Sequence, residues 1–322
     1  MGIDVHQHIW TPGFVDALRG RGTPPFLSGW TLYLDGEAPY AVNPLDHDLG
    51  HRLTFNAGHG IDLALVSLSS PLGIEHLAPE DAWPLLRAYH DGALALPPTF
   101  RAWASTCVTE IDPQRTAKVL DSGFAGLQLP ATTLLDAAGF ARVAPLLDLL
   151  EDRDLPLFVH PGPAGAAGTG AAPAAGAAAP AGAAEEPGWW PAMVPYVQQM
   201  HAAWYAFRAF GRPRHPRLRV CFALLSGLAP LHVERFIARG GSARGAVDTD
   251  AFLETSSYGH QAIDAITRVA GVEVVVLGSD APYASPASAL LGEAIEHQIS
   301  VTNPTRLLNL KGAVPDDLGV IA

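Results

Sequence analysis

Ile3-Asp4-Val5-His6-Gln7-His8-Ile9-Trp10 is the stretch on which the reading of this chain turns. It is apolar enough to be a buried strand, and it carries two histidines, His6 and His8, two positions apart. On extended backbone, residues i and i+2 project to the same side. Both imidazoles therefore leave one face at the end of a strand, an arrangement that suits a borderline cation such as zinc. The plain alternative is a pair of surface histidines near a chain end. The rest of the sequence has to choose between them.

Outward from this stretch, short apolar runs alternate with helical patterns. Ile61 to Leu68, Phe100 to Val108, Gly126 to Leu129, Pro156 to His160, Leu218 to Leu224, Phe252 to Thr255 and Val272 to Leu277 read as strands. The spacing predicts helices between them, among them Leu45 to His59, Pro79 to Leu96, Asp136 to Arg153, Trp190 to Phe210, Pro230 to Arg239, Ala262 to Ala270 and Pro286 to Gln298. Strands alternating with helices imply parallel βα units. With the first run, eight strands result, and right-handed crossovers repeated that often close into a barrel. The expected class is α/β, a distorted (β/α)8 TIM barrel forming one domain over residues 1–322. A doubly wound open sheet is disfavoured by the strand count and by the lack of a G-x-G-x-x-G or G-x-x-x-x-G-K-[ST] loop.

Two stretches interrupt the alternation. Residues 11–43 are rich in Pro and Gly but hold Phe26, Trp30, Tyr33 and Tyr40, and are expected to be an ordered insertion over the end of the first strand. Within 161–187, every residue from Pro161 to Ala184 is Gly, Ala or Pro except Thr169. Such a segment has little side chain to bury against its ordering entropy, so a flexible loop is expected there, either a lid or an idle expansion.

Composition excludes several classes. The formal net charge is −12 and no basic patch is visible, which argues against nucleic acid or an anionic membrane as partner. No apolar run reaches the roughly 18 residues of a membrane span. No secretory signal is visible at the start, and Cys107 and Cys221 form no metal motif, so the expected setting is cytoplasmic. The partner expected is a small molecule, with a homodimer possible in principle.

In a barrel, functional groups gather at the C-terminal ends of the strands. Those ends supply His6 and His8 from the first strand, His160 from the fifth and Asp280 after the eighth. Three imidazoles and a carboxylate make a plausible site for one divalent metal ion, most simply Zn2+, with Asp280 also placed to act as a base. Trp10, Trp189 and Trp190 are candidate substrate-stacking residues, although Trp10 can equally seal the barrel. Arg19, Arg21 and Arg52 are candidate partners for an anionic substrate. His47, His51 and His59 fall on a polar helical stretch and read as solvated.

Asp4-Val5-His6-Gln7-His8, Val159-His160-Pro161 and Gly278-Ser279-Asp280-Ala281-Pro282, in that order, resemble the amidohydrolase superfamily. The closer resemblance is to the amidohydrolase-related group that includes aminocarboxymuconate-semialdehyde decarboxylase. Gly60-Ile61-Asp62, Leu65-Val66-Ser67-Leu68, Gly123-Phe124-Ala125-Gly126 and Asn303-Pro304-Thr305-Arg306-Leu307 extend it over nearly the whole chain. The resemblance implies a distorted barrel with one divalent metal held by His6, His8, His160 and Asp280.

The chain departs from that pattern at the sixth strand. Cys221-Phe222-Ala223-Leu224-Leu225-Ser226-Gly227 puts Leu224 where the resemblance places an acid/base histidine. His260, in Ser256-Ser257-Tyr258-Gly259-His260, is a candidate catalytic substitute. Binuclear members use a lysine at the end of the fourth strand, and Gly126-Leu127-Gln128-Leu129 has none, which implies a single metal. Three functions follow. The first is metal-dependent hydrolysis of an amide, lactam or lactone, which needs no sixth-strand histidine. The second is non-oxidative decarboxylation of an unsaturated or aromatic acid. The third is an inactive barrel that binds a ligand.

Overall fold

The computed structural model describes residues 2–35, 37–166, 187–242 and 248–310. Eight parallel strands are β1 (Gly2–Gln7), β2 (Ile61–Val66), β3 (Phe100–Ala102), β4 (Leu127–Pro130), β5 (Leu157–His160), β6 (Val220–Phe222), β7 (Ala251–Glu254) and β8 (Val275–Val276). They form a sheet of β1, β2 and β3 and a sheet running from β4 to β8. Bridges Ala104↔Leu127 and Gln7↔Ala281 join the two sheets at both seams. Apart from the exposed Asp62 and Arg101, the strands are largely buried on both faces, which is why most of them read as continuous apolar runs and not as alternating ones.

Many strands are shorter than their apolar runs. β3 stops at Ala102, although the run continues to Val108. Trp103 and Ala104 still bond to the neighbouring strands, and the residues from Ser105 to Val108 then leave the ladder but stay buried. The helix expected over Pro286 to Gln298 is reduced to Glu293–His297, after a loop in which Leu290 and Gly292 adopt positive φ. The pattern at Trp190 to Phe210 splits into Trp190–Met193, Pro195–Ala206 and a wider turn at Phe207–Gly211, with the break set just before Pro195. Asp48, Asp112 and Asp136 cap the helices that follow them by accepting a backbone N–H.

Between β1 and β2, the helix Pro12–Arg19 precedes three short antiparallel strands, Phe26–Ser28, Thr31–Tyr33 and Tyr40–Ala41. Phe26 and Tyr33 stack across the first pair at 4.5 Å. Of the 161–187 loop, residues 167–186 lie outside the described residues, and with them the expectation of flexibility. No described helix is long and apolar enough to cross a membrane.

The barrel interior prepares the site. Trp103 is fully buried, stacks on Phe158 at 5.2 Å and donates Nε1–H to Val5 O at 2.9 Å. Phe158 in turn meets the His6 ring edge-on at 5.0 Å. A floor of packed aromatic rings therefore lies against the histidine of β1. The β1–β2 register slips between Asp4↔Ala64 and Gln7↔Val66, so three steps of β1 run opposite two of β2. That bulge falls at His6, where a local kink can re-aim a side chain.

Candidate metal centre

His6, His8, His160 and Asp280 converge, with one ligand atom from each lying within 4.8 Å of all the others. Three strands supply them. His6 is in β1 and His8 just beyond it, His160 ends β5, and Asp280 follows β8. The three histidines are buried, and the Asp280 side chain is 16 % exposed, so the cluster opens on one side. Asp280 sits at positive φ, held by its N–H on His6 O at 2.9 Å and by Tyr283 N–H donating to its own carbonyl at 2.8 Å.

The second ring nitrogens show what the cluster can hold. His8 Nδ1 lies 2.9 Å from Ser67 O, and His160 Nδ1 lies 2.8 Å from Pro161 O. A carbonyl only accepts, so in each ring Nδ1 carries the hydrogen and Nε2 presents a lone pair. His8 Nε2 nevertheless faces Asp280 Oδ1 at 3.1 Å and His6 Nε2 at 3.0 Å. His8 Nε2 and the carboxylate oxygen are both acceptors, and their close approach in a buried site is stabilised by positive charge between them. Neutral imidazoles with Nδ1–H bound to carbonyls, together with one carboxylate, form the donor set of a divalent metal site with oriented outer partners. The residues present fit such an ion.

Electrostatics inside the cluster are strongly coupled. Burial pushes His8 below its ordinary pKa and His160 well below it. For His6, burial also lowers the value, but Glu254 and Asp280 outweigh it and the net direction is upward. Burial pushes Asp280 up, yet attraction to His6 and His8 wins and holds its carboxyl below the usual range.

Glu254, at the end of β7, was not foreseen from sequence. It is fully buried, and its Oε1 lies 3.3 Å from His6 Nδ1. Its signal was a lone carboxylate closing the apolar run Ala251–Glu254 on the functional side of the barrel. Oε1 accepts Leu224 N–H at 2.8 Å, and Oε2 accepts Ser256 N–H at 3.0 Å. Ser256 Oγ also donates to Oε1. Gly278 must lack a side chain here, because a Cβ would stand 1.8 Å from Glu254 Oε2.

Leu224 begins a rare stretch of backbone. Leu224, Leu225, Ser226, Gly227 and Leu228 all have positive φ, a left-handed turn with one glycine in it. Each non-glycine residue costs roughly 1–2 kcal/mol in that region. The turn is held by Glu254 at its start, by Ser226 Oγ donating to Met200 O at 3.2 Å, and by Gly227 against Val197 O, where a Cβ would lie 2.5 Å away.

Other sequence candidates fall elsewhere. His260 is exposed as the first residue of the helix His260–Ala270 and is not part of the four-donor cluster. Trp10 is 4 % exposed, stacks on His47 at 4.6 Å and donates to Ser69 Oγ. That stacking also corrects the solvated reading of His47, which is buried and accepts Trp10 N–H. Arg52 is buried and donates to Gln7 Oε1, Ala281 O and Asp46 O, and it therefore braces β1 against the loop after β8. Arg19 and Arg21 donate to carbonyls of their own insertion. Trp189 is 58 % exposed, and Trp190 beside it is half-buried. Tyr283 places its ring 5.5 Å from that of His8 while remaining 48 % exposed.

Solved structures share this architecture. The chain is similar to IDCase of Metarhizium anisopliae, with TM-score 0.74 and 16 % identity over 97 % of each chain. It is similar to 5-carboxyvanillate decarboxylase of Novosphingobium aromaticivorans, solved with manganese, with TM-score 0.69 and 18 % identity over 96 % of each chain. It is also similar to 2,6-dihydroxybenzoate decarboxylase of Rhizobium, with TM-score 0.65 and 17 % identity over 97 % of this chain and 99 % of that one. No family model matches the chain, and no curated protein matches it in sequence. The likeness is one of fold: the chain shares the α/β barrel of these solved structures.

Proposed function

We propose that this protein is a divalent-metal-dependent, non-oxidative decarboxylase of a small aromatic or unsaturated carboxylic acid. The observation that carries the metal-dependent reading is the convergence of His6, His8, His160 and Asp280, with Nδ1 of His8 and of His160 already bound to a carbonyl. Decarboxylation is preferred to the hydrolysis favoured by sequence because two of the solved neighbours described above are decarboxylases. That preference is an analogy of fold, since one fold serves many chemistries. Zinc is the simplest ion for three imidazoles and a carboxylate, and manganese, present in one neighbour, suits the same donors.

When bound, a divalent ion supplies localised positive charge that orients an anionic substrate and stabilises charge developing as the carboxylate departs. The chain supplies the rest. His8 and His160 are fixed by Ser67 O and Pro161 O, so little reorganisation is left for the reaction. With leucine at position 224, the proton for the substrate carbon has to come from another group. Asp280 is assigned that role, because its carboxyl is the partly exposed member of the cluster. The substrate C–C bond breaks and carbon dioxide leaves, and the electron pair left on carbon takes a proton from solvent relayed through the Asp280 carboxylate, which is ionised at rest and ends ionised. Tyr283, Trp189 and Trp190 are assigned to the walls around a planar substrate. His260 receives no role in this scheme.

The test is carbon dioxide release from hydroxylated benzoates and related unsaturated acids, using protein loaded in turn with Mn2+ and Zn2+. Metal-dependent release that stops on chelation is the expected result. Amide or lactone cleavage without carbon dioxide would return the hydrolase, and turnover of neither class by fully metal-loaded protein would leave the ligand-binding barrel.

A further inference from the structure

We infer that Glu254 is a positioning residue for the metal centre, holding the His6 imidazole so that Nδ1 keeps its hydrogen and Nε2 is offered to the ion. The inference rests on the metal reading above. It starts from an asymmetry among three imidazoles. His8 and His160 each have a carbonyl on Nδ1, whereas His6 Nδ1 is buried with no hydrogen bond of standard geometry among the described residues. The acceptor set against it is Glu254 Oε1 at 3.3 Å, within ion-pair reach.

Glu254 is itself unusually well fixed. Its carboxylate accepts two backbone N–H groups, from Leu224 and Ser256, and the Ser256 hydroxyl. Gly278 packs directly behind it. One side chain on β7 thus meets β1, the turn after β6 and the segment after β8. A buried carboxylate facing four donor groups is an acceptor in every direction, and such a group does not reorient when His6 swings. A carboxylate on the far nitrogen of a metal-bound imidazole fixes its tautomer and raises its basicity, and loss of such partners typically costs 10–100-fold in metal affinity.

Glu254→Gln tests this with little change of volume. The amide must turn an NH2 either toward Leu224 N–H and His6 or toward Ser256 N–H. Circular dichroism and melting report whether the variant folds. Mn2+ titration followed by electron paramagnetic resonance then gives the dissociation constant. The expected result is a folded variant that binds Mn2+ 10–100-fold more weakly than wild type. A folded variant with wild-type affinity overturns the inference.

A second measurement needs no variant of Glu254. In 15N-histidine spectra of metal-free and Zn2+-loaded wild-type protein, the His6 signals are assigned by their absence in His6→Asn. Nδ1 of His6 is expected to carry a proton in both states, and a bare Nδ1 overturns the role of Glu254 even if Glu254→Gln fails to fold. Wild-type protein that takes up no Mn2+ or Zn2+ overturns the metal reading instead, and the metal-free spectrum still decides the tautomer.

Discussion

Asp280 and Glu75 are both carboxyls at the C-terminal end of the barrel, yet the fold treats them in opposite ways. Asp280 joins three histidines after β1, β5 and β8, and they hold its carboxyl below the usual range despite the opposing effect of burial. Glu75 lies across the barrel mouth among Ser70, Ser105 and Gln128, which follow or belong to β2, β3 and β4. No histidine or other cation is among the groups that shift it. Burial pushes its pKa from 4.5 up to about 7, against hydrogen bonds from the two serines that pull it down. Both clusters gather acceptors out of water. The first has ring nitrogens that can share a metal ion. The second has hydroxyls and an amide, and the charge it lacks is most cheaply supplied by a proton on Glu75.

The widest separation between the two clusters comes from removing the metal donors. A His6→Ala/His8→Ala variant is expected to lose stoichiometric divalent metal by mass spectrometry and to reduce carbon dioxide release by about 10³-fold or more, since a Lewis-acid contribution of several kcal/mol disappears. Retention of one ion per chain by this variant would move the site away from β1. Asp280→Asn probes the same cluster more gently. The amide keeps the size of the side chain but cannot relay a proton on its oxygen, so turnover is expected to fall about 10²–10⁴-fold. If turnover is unchanged while the metal stays bound, the proton comes from a group other than Asp280.

How far sequence could see these two clusters depends on the kind of signal each leaves. His6, His8, His160 and Asp280 are legible because polar residues at the ends of buried strands stand out against apolar runs, and because period-two geometry puts His6 and His8 on one side. The fold follows from the same runs, although their lengths overstate the strands wherever buried chain leaves the ladder, as after Ala104. Glu254 leaves the same kind of signal, but a single acid at a strand end also reads as the start of a turn. Glu75 left almost none, since Gly73-Ile74-Glu75-His76 looks like an ordinary polar loop, and only the three-dimensional return of Ser105 and Gln128 buries it. His47 misled for the reverse reason. Its helical neighbours are polar, and its burial comes from Trp10, far away in sequence. The left-handed turn at Leu224 to Leu228 contradicts local propensity, so no propensity argument could have found it.

The smallest effect, and the one specific to the second cluster, is on stability and not on turnover. Glu75 Oε2 and Gln128 Oε1 are both buried without a hydrogen-bond partner among the described residues. The folded protein holds the Glu75 proton up to about pH 7, whereas the unfolded chain releases it near 4.5. Between those values the folded state binds more protons than the unfolded one, so this group's contribution to stability is greatest at or below pH 4.5. It falls as pH rises toward 7, by about 3 kcal/mol in all. Glu75→Gln has no proton to lose and keeps a neutral group of the same shape. Urea denaturation of both proteins at pH 4.5, 6 and 8 is therefore expected to show a difference that moves by about 3 kcal/mol in favour of the variant as pH rises, with carbon dioxide release nearly unchanged. A difference that stays constant with pH would mean that Glu75 is already ionised in the folded protein. The second cluster would then have to hold a cation of its own, and the contrast between a half built to take a metal ion and a half neutralised by a proton would be lost.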